Sequence, residues 1–385
     1  MDSLPDSALR VVIVQRRMTH YRIKLFDLMK MRLASSGIGL DVVYGDPTAD
    51  EVGKRDGGHL SWGTHVPCSY FLNGRVCWQD VRKVARGAAL TVVTQENKLL
   101  ANYLLMFGRK KQPLAFWGHG RNFQADSSKR VNEAFKRWMS VQCDWWFAYT
   151  EISAQAVMGF GYPRSRITVL NNSVDTAEMK SAQASIAPGE RADLRARLGI
   201  GEGPVGIVIA SLHADKRLEF IIDAAEALRQ RLPDFQLIVL GDGPQRALIE
   251  AAARRSGGWM HWMGVQKGRD KMLYLSLADV IINPGMIGLN ILDSFVGGVP
   301  VITTDCGIHS PEVAYIENGV NGIVTANDPG AYVDAVSDLL KDRTRLEQLR
   351  AACLRSADDY SVERMADNFC AGIEQFLQTR KGGVR

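Results

Sequence analysis

The chain has 385 residues, of which 46% are hydrophobic and 23% charged, and its formal net charge is +5. This composition is typical of a globular protein, and no segment approaches the roughly 18 consecutive apolar residues of a membrane helix. Six cysteines without C-x-x-C spacing argue against a structural zinc site and a disulfide framework. The first ten residues contain no apolar run, so a cytoplasmic protein without a signal peptide is expected. The length favours two domains.

The charge is unevenly distributed along the chain. Residues 1–175 contain 24 lysine and arginine against 15 aspartate and glutamate residues, whereas the remainder contains 23 against 27. Basic clusters such as 109–111 suit an anionic membrane surface or an acidic substrate, and Trp138, Trp145 and Trp146 nearby favour the membrane surface; solvated helix faces are the alternative. No RNA- or DNA-reading motif accompanies these charges, so nucleic acid is not an expected partner.

Short apolar runs alternate with amphipathic stretches in the first part of the chain. Residues 11–14 are a predicted strand, and a polar loop leads from them into a predicted helix at about 21–33. This alternation predicts a parallel sheet covered on both faces. Residues 45–71 are polar and irregular and are predicted to form loops. Further strands are predicted at 40–44, 90–94, 114–117, 146–149 and 167–170.

The same alternation of apolar runs and amphipathic stretches begins again after residues 178–203, which are predicted to carry one helix. Residues 205–212 are predicted to form a buried strand, and 217–232 are predicted to form a helix because their apolar side chains recur at helical spacing. The turn 241–244 places Pro244 to open the next helix. Further elements are predicted as strands at 235–240, 259–263, 280–283, 299–303 and 322–324 and helices at 330–341, 343–357 and 362–379. The predicted fold class is α/β with two Rossmann-like domains, whose sheets bind ligands at the carboxyl ends of their strands.

Residues 283–301 are the most informative segment. A predicted buried strand ends at Asn283, a glycine-containing turn follows, and a short helix is predicted to begin near Leu289. Unpaired backbone N–H groups at such a helix start suit a phosphate or another anion. Asp293 adds a carboxylate that can accept hydrogen bonds from a ribose diol. The alternative is a plain strand–helix corner of an α/β sheet.

Five segments, in order, resemble those of family 4 glycosyltransferases, which have the GT-B fold. The segments are 172–176, 211–216, 240–244, 288–301 and 311–322. Each is weak alone, but five in order are specific, and the resemblance spans nearly the whole chain. It implies two Rossmann-like domains facing each other across a cleft. Residues 1–175, with a helix at about 362–380 crossing back to them, would bind the acceptor, and 176–361 the nucleotide-sugar donor.

The resemblance implies a donor site in the second domain. The lysine that pairs with the donor diphosphate in the family corresponds to Lys216, and an exposed lysine at a helix start is the alternative. The arginine of the family is not matched at Ser211, and Arg217 is the candidate replacement. The paired glutamates of the family fall at Gly285 and Asp293. The expected donor-binding residues are Ser211, Arg217, Gly241, Gly243, Gly285, Met286, Ile287, Gly288, Leu289 and Asp293.

Gly285 is the largest departure from the family pattern, because it has no side chain to lie beside the transferred sugar. One interpretation is that the backbone amides of Met286 and Ile287 contact the sugar instead. Altered sugar specificity and a degraded active site are the other interpretations.

His119 follows a predicted strand and lies between two glycines, which allow the backbone to approach a ligand closely. Family members carry a histidine in this region that contacts the donor sugar or its phosphate. The resemblance therefore implies that His119 and Lys216 are the catalytic residues. A core or surface histidine is the alternative.

A cluster of cations marks the start of the first predicted helix, for which Thr19 is a candidate N-cap. Arg16, His20 and Arg22, together with Arg121, are expected to bind an anionic acceptor. Salt bridges that tie this loop to its own domain are the alternative.

The predicted reaction is transfer of a sugar from a nucleotide-sugar donor to a hydroxyl of a glycan or of a lipid-diphosphate-linked glycan. Polysaccharide or lipopolysaccharide assembly on the cytoplasmic face of a membrane would use such a reaction. The resemblance implies that the anomeric configuration is retained and that the reaction requires neither a metal ion nor a cofactor. A nucleotide-sugar 2-epimerase of the same fold and a degenerate, non-catalytic homologue are the alternatives.

Overall fold

The computed structural model describes residues 9–52, 56–108, 112–120 and 137–382. The chain divides into two compact units, one formed by residues 1–175 with 362–385 and the other by residues 176–361. Each unit has its own parallel sheet. The α/β fold class predicted from the alternating pattern is confirmed.

The described strands of the first unit form one parallel sheet and one hairpin. They are β1 (Leu9–Gln15), β2 (Ile38–Tyr44), β3 (Thr64–His65), β4 (Cys68–Phe71), β5 (Val76–Gln79), β6 (Leu90–Thr94), β7 (Leu114–Gly118), β8 (Trp145–Ala148) and β9 (Ile167–Val169). The sheet has the order β3-β2-β1-β6-β7-β8-β9, and β4 pairs with β5. Val11 and Ile13 pack into the core on one face and Val12 and Val14 into the other, which explains the continuous apolar run.

The sheet of the second unit is also parallel. Its described strands are β10 (Val205–Ile209), β11 (Gln236–Leu240), β12 (Met260–Trp262), β13 (Val280–Ile282), β14 (Val301–Thr304) and β15 (Gly322–Thr325). Their order is β12-β11-β10-β13-β14-β15. The chain therefore runs outward from β10 to β12 and returns on the other side of β10 with β13. Open α/β sheets bind ligands at such a reversal, beyond the carboxyl ends of the strands.

Helices connect the strands in both units, and the last helix belongs to the first unit. In chain order the described helices are α1 (His20–Ser35), α2 (Ala49–Val52), α3 (Arg82–Ala85), α4 (Leu100–Phe107), α5 (Glu151–Met158), α6 (Thr176–Ala184), α7 (Pro188–Leu198), α8 (Leu218–Arg231), α9 (Arg246–Arg255), α10 (Gly268–Leu275), α11 (Ile291–Gly297), α12 (Pro329–Lys341), α13 (Arg343–Asp359) and α14 (Val362–Gly382). Phe369 of α14 stacks on Phe147 at a centroid distance of 4.3 Å and meets Trp117 edge-on at 5.1 Å. These contacts bury α14 in the first core.

Several predicted elements differ from the structure. Residues 45–71 are not only loops, because they contain α2, β3 and β4, which are too short to show a hydrophobic period. Residues 178–203 belong to two helices instead of one, because Pro188 opens α7 and cannot continue α6. Pro244 does not open α9, which begins two residues later at Arg246. Thr19 precedes α1 but makes no side-chain capping hydrogen bond.

Candidate active site

Loops that follow neighbouring strands meet at the carboxyl edge of the second sheet. We call residues 210–217 the β10 loop, residues 283–290 the β13 loop and residues 305–310 the β14 loop. Since β10 pairs with β13, and β13 with β14, these three loops lie side by side. This edge includes the reversal of strand order between β10 and β13.

Three hydrogen bonds join the β10 loop to the β13 loop. The Met286 N–H donates to the carbonyl of Asp215 at 2.9 Å. Lys216 Nζ donates to the carbonyl of Met286 at 2.5 Å. The guanidinium of Arg217 donates to the carbonyl of Pro284 at 3.2 Å. We call this set of contacts the loop clamp.

Lys216 is buried at the centre of the loop clamp, with only 6% of its surface exposed. Burial lowers the pKa of its ammonium, and the nearby Asp215 and Cys306 oppose that shift. Within the described part of the chain, no carboxylate lies at ion-pair distance from Nζ, and the Met286 carbonyl is its hydrogen-bond partner. A buried ammonium with no carboxylate at ion-pair distance favours the binding of an anion beside it.

Arg217 has a left-handed backbone, with φ of 58°. A non-glycine residue in this conformation carries strain of about 1–3 kcal/mol, which its surroundings must offset. Its guanidinium also donates to Thr304 Oγ1 at 3.2 Å and to Asn327 Oδ1 at 2.6 Å. The guanidinium of Arg217, which the sequence suggested for donor binding, therefore forms hydrogen bonds within the protein and stabilises the loop clamp.

Gly285 is a glycine because the backbone of the β10 loop passes directly over it. A Cβ atom at this position would lie 2.5 Å from the carbonyl oxygen of Asp215 and 2.7 Å from that of Lys216. Backbone atoms cannot move aside as the end of a flexible side chain can. The loop clamp and a glutamate at position 285 therefore exclude each other.

The backbone amides that the sequence suggested for sugar contact have protein partners. The Met286 N–H is part of the loop clamp, and the Ile287 N–H donates to Nδ1 of His309 at 3.1 Å. In this conformation a contact of either amide with a sugar would require these hydrogen bonds to open. The Gly288 N–H donates to Asn290 Oδ1 at 2.9 Å, so it is not an open anion donor either.

Asp293 of α11 is buried, and its Oδ1 lies 2.5 Å from Nζ of Lys271 on α10. The carboxylate expected to hold a ribose thus already forms an ion pair. Lys271 has no motif to mark it, since the two partners are 22 residues apart and lie on different helices.

The two glycines of the 241–244 turn are required by close packing against the β10 loop. A Cβ on Gly241, which has φ of 143°, would overlap the carbonyl oxygen of Ala210. A Cβ on Gly243 would lie 2.7 Å from the carbonyl oxygen of Leu212. Ser211 lies between these two contact points and is exposed.

The β14 loop contains two residues that no sequence pattern indicated, Cys306 and His309. His309 Nε2 lies 2.7 Å from the carbonyl of Thr304 and 3.4 Å from Cys306 Sγ. The Ser310 N–H donates to the carbonyl of Ile287 at 2.9 Å. The β13 loop is thus held by the β10 loop on one side and the β14 loop on the other.

The cations at the start of α1 in the first unit are mostly bound within their own unit. Arg16 donates to both oxygens of Glu51, at 2.5 and 2.7 Å, and lowers the pKa of Glu51 to about 2. Arg22 is buried and donates to Asn172 Oδ1 at 2.7 Å. His20 is exposed, with Nδ1 3.1 Å from the carbonyl of Asp56. For Arg16 and Arg22, these contacts agree with the alternative of a loop tied to its domain.

The remaining predicted residues of the first unit are His119 and Arg121. His119 follows β7, is exposed, and lies edge-on to the ring of Tyr149 at 4.5 Å. Arg121 lies outside the described residues.

A cavity of about 580 Å³ lies at the carboxyl ends of β1 and β2 in the first unit. Tyr44 OH is 3.0 Å from His59 Nδ1, and His65 Nε2 is 2.9 Å from Asp46 Oδ1. The lining combines aromatic, carboxylate and imidazole groups, with Arg17 at one side. Among the residues that the structure describes, no group of three or more histidine, cysteine, aspartate or glutamate side chains could hold a metal ion.

Known proteins resemble this chain in sequence and in fold. Residues 203–342 match the family described as "Glycosyl transferases group 1". Alpha-D-kanosaminyltransferase of Streptomyces kanamyceticus is 30% identical over 198 residues, 48% of either chain. A Mycobacterium tuberculosis protein is 27% identical over 228 residues, 56% of this chain and 57% of its own length. Its name is GDP-mannose-dependent alpha-(1-6)-phosphatidylinositol monomannoside mannosyltransferase. These matches support a glycosyltransferase.

The chain spans about half of the length of these two curated relatives. Anabaena Alr3699/HepE, solved in complex with UDP, has a TM-score of 0.70 at 15% identity over 95% of this chain and 99% of its own. That likeness shows the fold, which is GT-B with two Rossmann-like domains.

We expect Gly285→Ala to destabilise the second unit by about 1–3 kcal/mol, because its Cβ would push against two carbonyl oxygens of the β10 loop. Gly288→Ala is the matched control, since the nearest atom to its Cβ would be Ser310 Oγ at 3.6 Å. Its stability should stay within about 0.5 kcal/mol of the parent protein. Urea unfolding of both variants measures the difference, and equal stabilities would contradict the close approach at Gly285.

Proposed function

We propose that this protein is a family 4 glycosyltransferase that moves a sugar from a nucleotide-sugar donor to a hydroxyl acceptor. The buried ammonium of Lys216 carries the proposal, since it lacks a carboxylate partner within the described residues and lies at the reversal of strand order. A diphosphate placed there would supply the anion at ion-pair distance that Lys216 lacks among the described residues. The glycosyltransferase matches of the second unit agree with this assignment.

In the proposed reaction, Lys216 stabilises the negative charge that develops on the leaving diphosphate. The bond between the anomeric carbon and the diphosphate oxygen breaks as the acceptor oxygen bonds to the same carbon. The acceptor's proton passes to the departing diphosphate on the same face, so the anomeric configuration is retained. This route requires neither a protein nucleophile nor a metal ion. Burial of Lys216 strengthens its effect, because water screens the charge less.

The proposed donor contacts differ from the family pattern at Gly285 and Asp293. The sugar would contact the loop clamp at the position where relatives have a glutamate. We therefore favour altered sugar specificity over a degraded active site. Asp293 would contact the ribose while sharing its charge with Lys271, 2.5 Å away. One relative is named for GDP-mannose and one similar structure holds UDP, so both nucleotides are needed as probes.

We expect Lys216→Met to weaken the binding of UDP and GDP by at least about tenfold and to slow sugar transfer by about 100-fold. Methionine keeps most of the side-chain volume and removes the charge, so the fold should persist. Calorimetric titration and a transfer assay with UDP- and GDP-sugars measure both effects. Lys267→Ala, at an exposed lysine of the same unit, is the control.

Unchanged nucleotide binding in Lys216→Met would exclude Lys216 as the diphosphate contact. The anomeric configuration of the product, read by NMR, and the rate in the presence of EDTA test retention and metal independence in the same assay. Epimerised sugar formed without an acceptor would instead identify the 2-epimerase, and binding without turnover the degenerate homologue.

We further propose that the acceptor is a glycan whose sugar ring binds in the cavity of the first unit. The charges of Arg16 and Arg17 are met by Glu51 and Asp56 at 2.5 and 2.6 Å, so these two arginines are poor partners for a diphosphate. The polar groups of the lining, which include His59, His65 and Asp46, suit sugar hydroxyls. The volume of about 580 Å³ is that of an ordinary small-ligand site.

Saturation-transfer NMR with methyl glycosides of glucose, mannose and N-acetylglucosamine tests the acceptor site. We expect His59→Ala to reduce the signal of the bound glycoside severalfold, because it removes the partner of Tyr44 OH from the cavity wall. His20→Ala should leave the signal unchanged. The reverse outcome would place the acceptor at the start of α1, where the sequence predicted it.

We also propose an association with an anionic membrane surface, through residues that differ in part from those that the sequence suggested. Trp145 and Trp146 of β8 are buried in the core of the first unit, so they cannot contact lipid. Leu104 and Phe107 of α4 are exposed, and Trp138, also exposed, stacks on Phe107 at 5.5 Å. Lysine and arginine follow α4 in the sequence at 109–111. No helix within the described ranges is long and apolar enough to cross a membrane.

We expect the protein to sediment with vesicles of phosphatidylcholine and phosphatidylglycerol, and not with phosphatidylcholine alone, because charge and apolar contact must act together. Leu104→Asp should lower the bound fraction by about tenfold or more, since a carboxylate replaces apolar contact. Leu354→Asp, at an exposed leucine of the second unit, should not. Equal binding of both variants would rule out the face of α4.

A further inference from the structure

The ring of His309 is bound at both nitrogens, and its partners fix which nitrogen carries the proton. The Ile287 N–H points at Nδ1 from 3.1 Å, so Nδ1 must offer a lone pair. Nε2 lies 2.7 Å from the Thr304 carbonyl, which can only accept, so Nε2 carries the hydrogen. His309 therefore holds the β13 loop as a neutral imidazole with its proton on Nε2.

Protonation of this ring is incompatible with the Ile287 contact. The second proton can bind only at Nδ1, where it would face the hydrogen of the Ile287 amide. The hydrogen bond at 3.1 Å would become a contact between two donors, and Ile287 would have to leave. The bond from Nε2 to Thr304 would survive, because that nitrogen donates in both states.

The surroundings of His309 allow the ring to take up this proton. Burial lowers the pKa of His309, but its contacts with Cys306 and the Thr304 carbonyl outweigh burial and raise the pKa. The titratable groups nearby are Cys306 and Asp305 of the same loop, and Lys216 of the β10 loop lies near Cys306. Protonation thus begins at a higher pH than for an isolated histidine.

Loss of the hydrogen bond from Ile287 to His309 would affect the proposed donor site through the adjacent residue, Met286. Ile287 directly follows Met286, whose carbonyl accepts the hydrogen bond from Lys216 Nζ and whose N–H completes the loop clamp. The neighbouring Ser310 N–H also donates to the carbonyl of Ile287 at 2.9 Å. The position of the Lys216 partner therefore depends on the β14 loop.

We propose that His309 is a positioning residue that holds the β13 loop only while its ring is neutral, so that binding of a nucleoside diphosphate weakens as the ring takes up a proton. The proposal rests on the proposed function, in which the diphosphate lies beside Lys216. The neutral form holds the loop, so affinity is highest above the pKa of His309 and falls with decreasing pH. For one proton, the limit is about tenfold per pH unit.

Two substitutions separate the two roles of the ring. His309→Asn places an amide oxygen near the position of Nδ1, so it keeps an acceptor for the Ile287 N–H and cannot titrate. His309→Gln places its amide near Nε2, so it keeps a donor for Thr304 and loses the acceptor for Ile287. His261→Asn is the matched control, because His261 is a half-buried histidine of β12 whose Nε2 lies 3.1 Å from Gln236 Oε1.

The test is calorimetric titration of the full chain with UDP and with GDP between about pH 5 and about pH 8, the range in which histidine side chains change charge. Affinity should fall with decreasing pH for the parent protein and for His261→Asn. For His309→Asn the fall towards low pH should disappear, apart from the titration of the nucleotide phosphates and of Lys216, which all four proteins share. His309→Gln should bind about threefold to tenfold more weakly than the parent at high pH, for the loss of one hydrogen bond.

A pH dependence of His309→Asn equal to that of the parent would overturn the proposal, as would its loss in His261→Asn. Nitrogen NMR of labelled histidine gives a readout that needs no ligand. The His309 signal, identified by its absence in His309→Asn, should show the proton on Nε2 at high pH, and a proton on Nδ1 would also overturn the proposal. If neither nucleotide binds the parent at any pH, the proposed donor site is wrong, and the NMR result still decides the state of His309.

Discussion

The close approach of two backbone segments at Gly285 is the constraint on which the rest of this site depends. The loops after β10 and β13 are neighbours because their strands pair, but ordinary side chains would hold them apart. Without a Cβ at position 285, the carbonyls of Asp215 and Lys216 lie directly against it. The Met286 amide and the Arg217 guanidinium then close the loop clamp. The strained backbone of Arg217 is tolerated because this closure holds it in place.

The loop clamp also decides the electrostatics of the site. It buries Lys216 against a carbonyl, which satisfies one N–H donor but does not neutralise the charge. The charged pair at this edge, buried Asp293 with partly buried Lys271, is neutral as a pair. A diphosphate would therefore be attracted to the Lys216 side of the edge. Backbone packing accounts for the absence of a side chain at position 285.

Much of the fold follows from local pattern, and much of the site does not. Buried parallel strands are continuous apolar runs, so β6 and β13 can be located from the sequence to within about a residue. Position 216 stands out in the sequence too, because its lysine lies in one of the five segments that carry the resemblance. The partners of Asp293 and Ile287 cannot, since Lys271 and His309 are 22 residues away in each case and no period links them. The sequence showed that Gly285 lacks a side chain, and only the path of the β10 loop shows why.

The β13 loop is held from both sides by groups of different kinds. On the β10 side the donors are the Lys216 ammonium, the Arg217 guanidinium and the Met286 amide, which all keep their hydrogens between neutral and acidic pH. On the β14 side the contact to Ile287 is an imidazole. Its Nδ1 accepts a hydrogen bond when the ring is neutral and can only donate when the ring is protonated. A serine or asparagine could accept the same N–H without this sensitivity. The use of a titratable group on one side and fixed groups on the other makes the position of the Met286 carbonyl, and thus the environment of Lys216, dependent on a single proton.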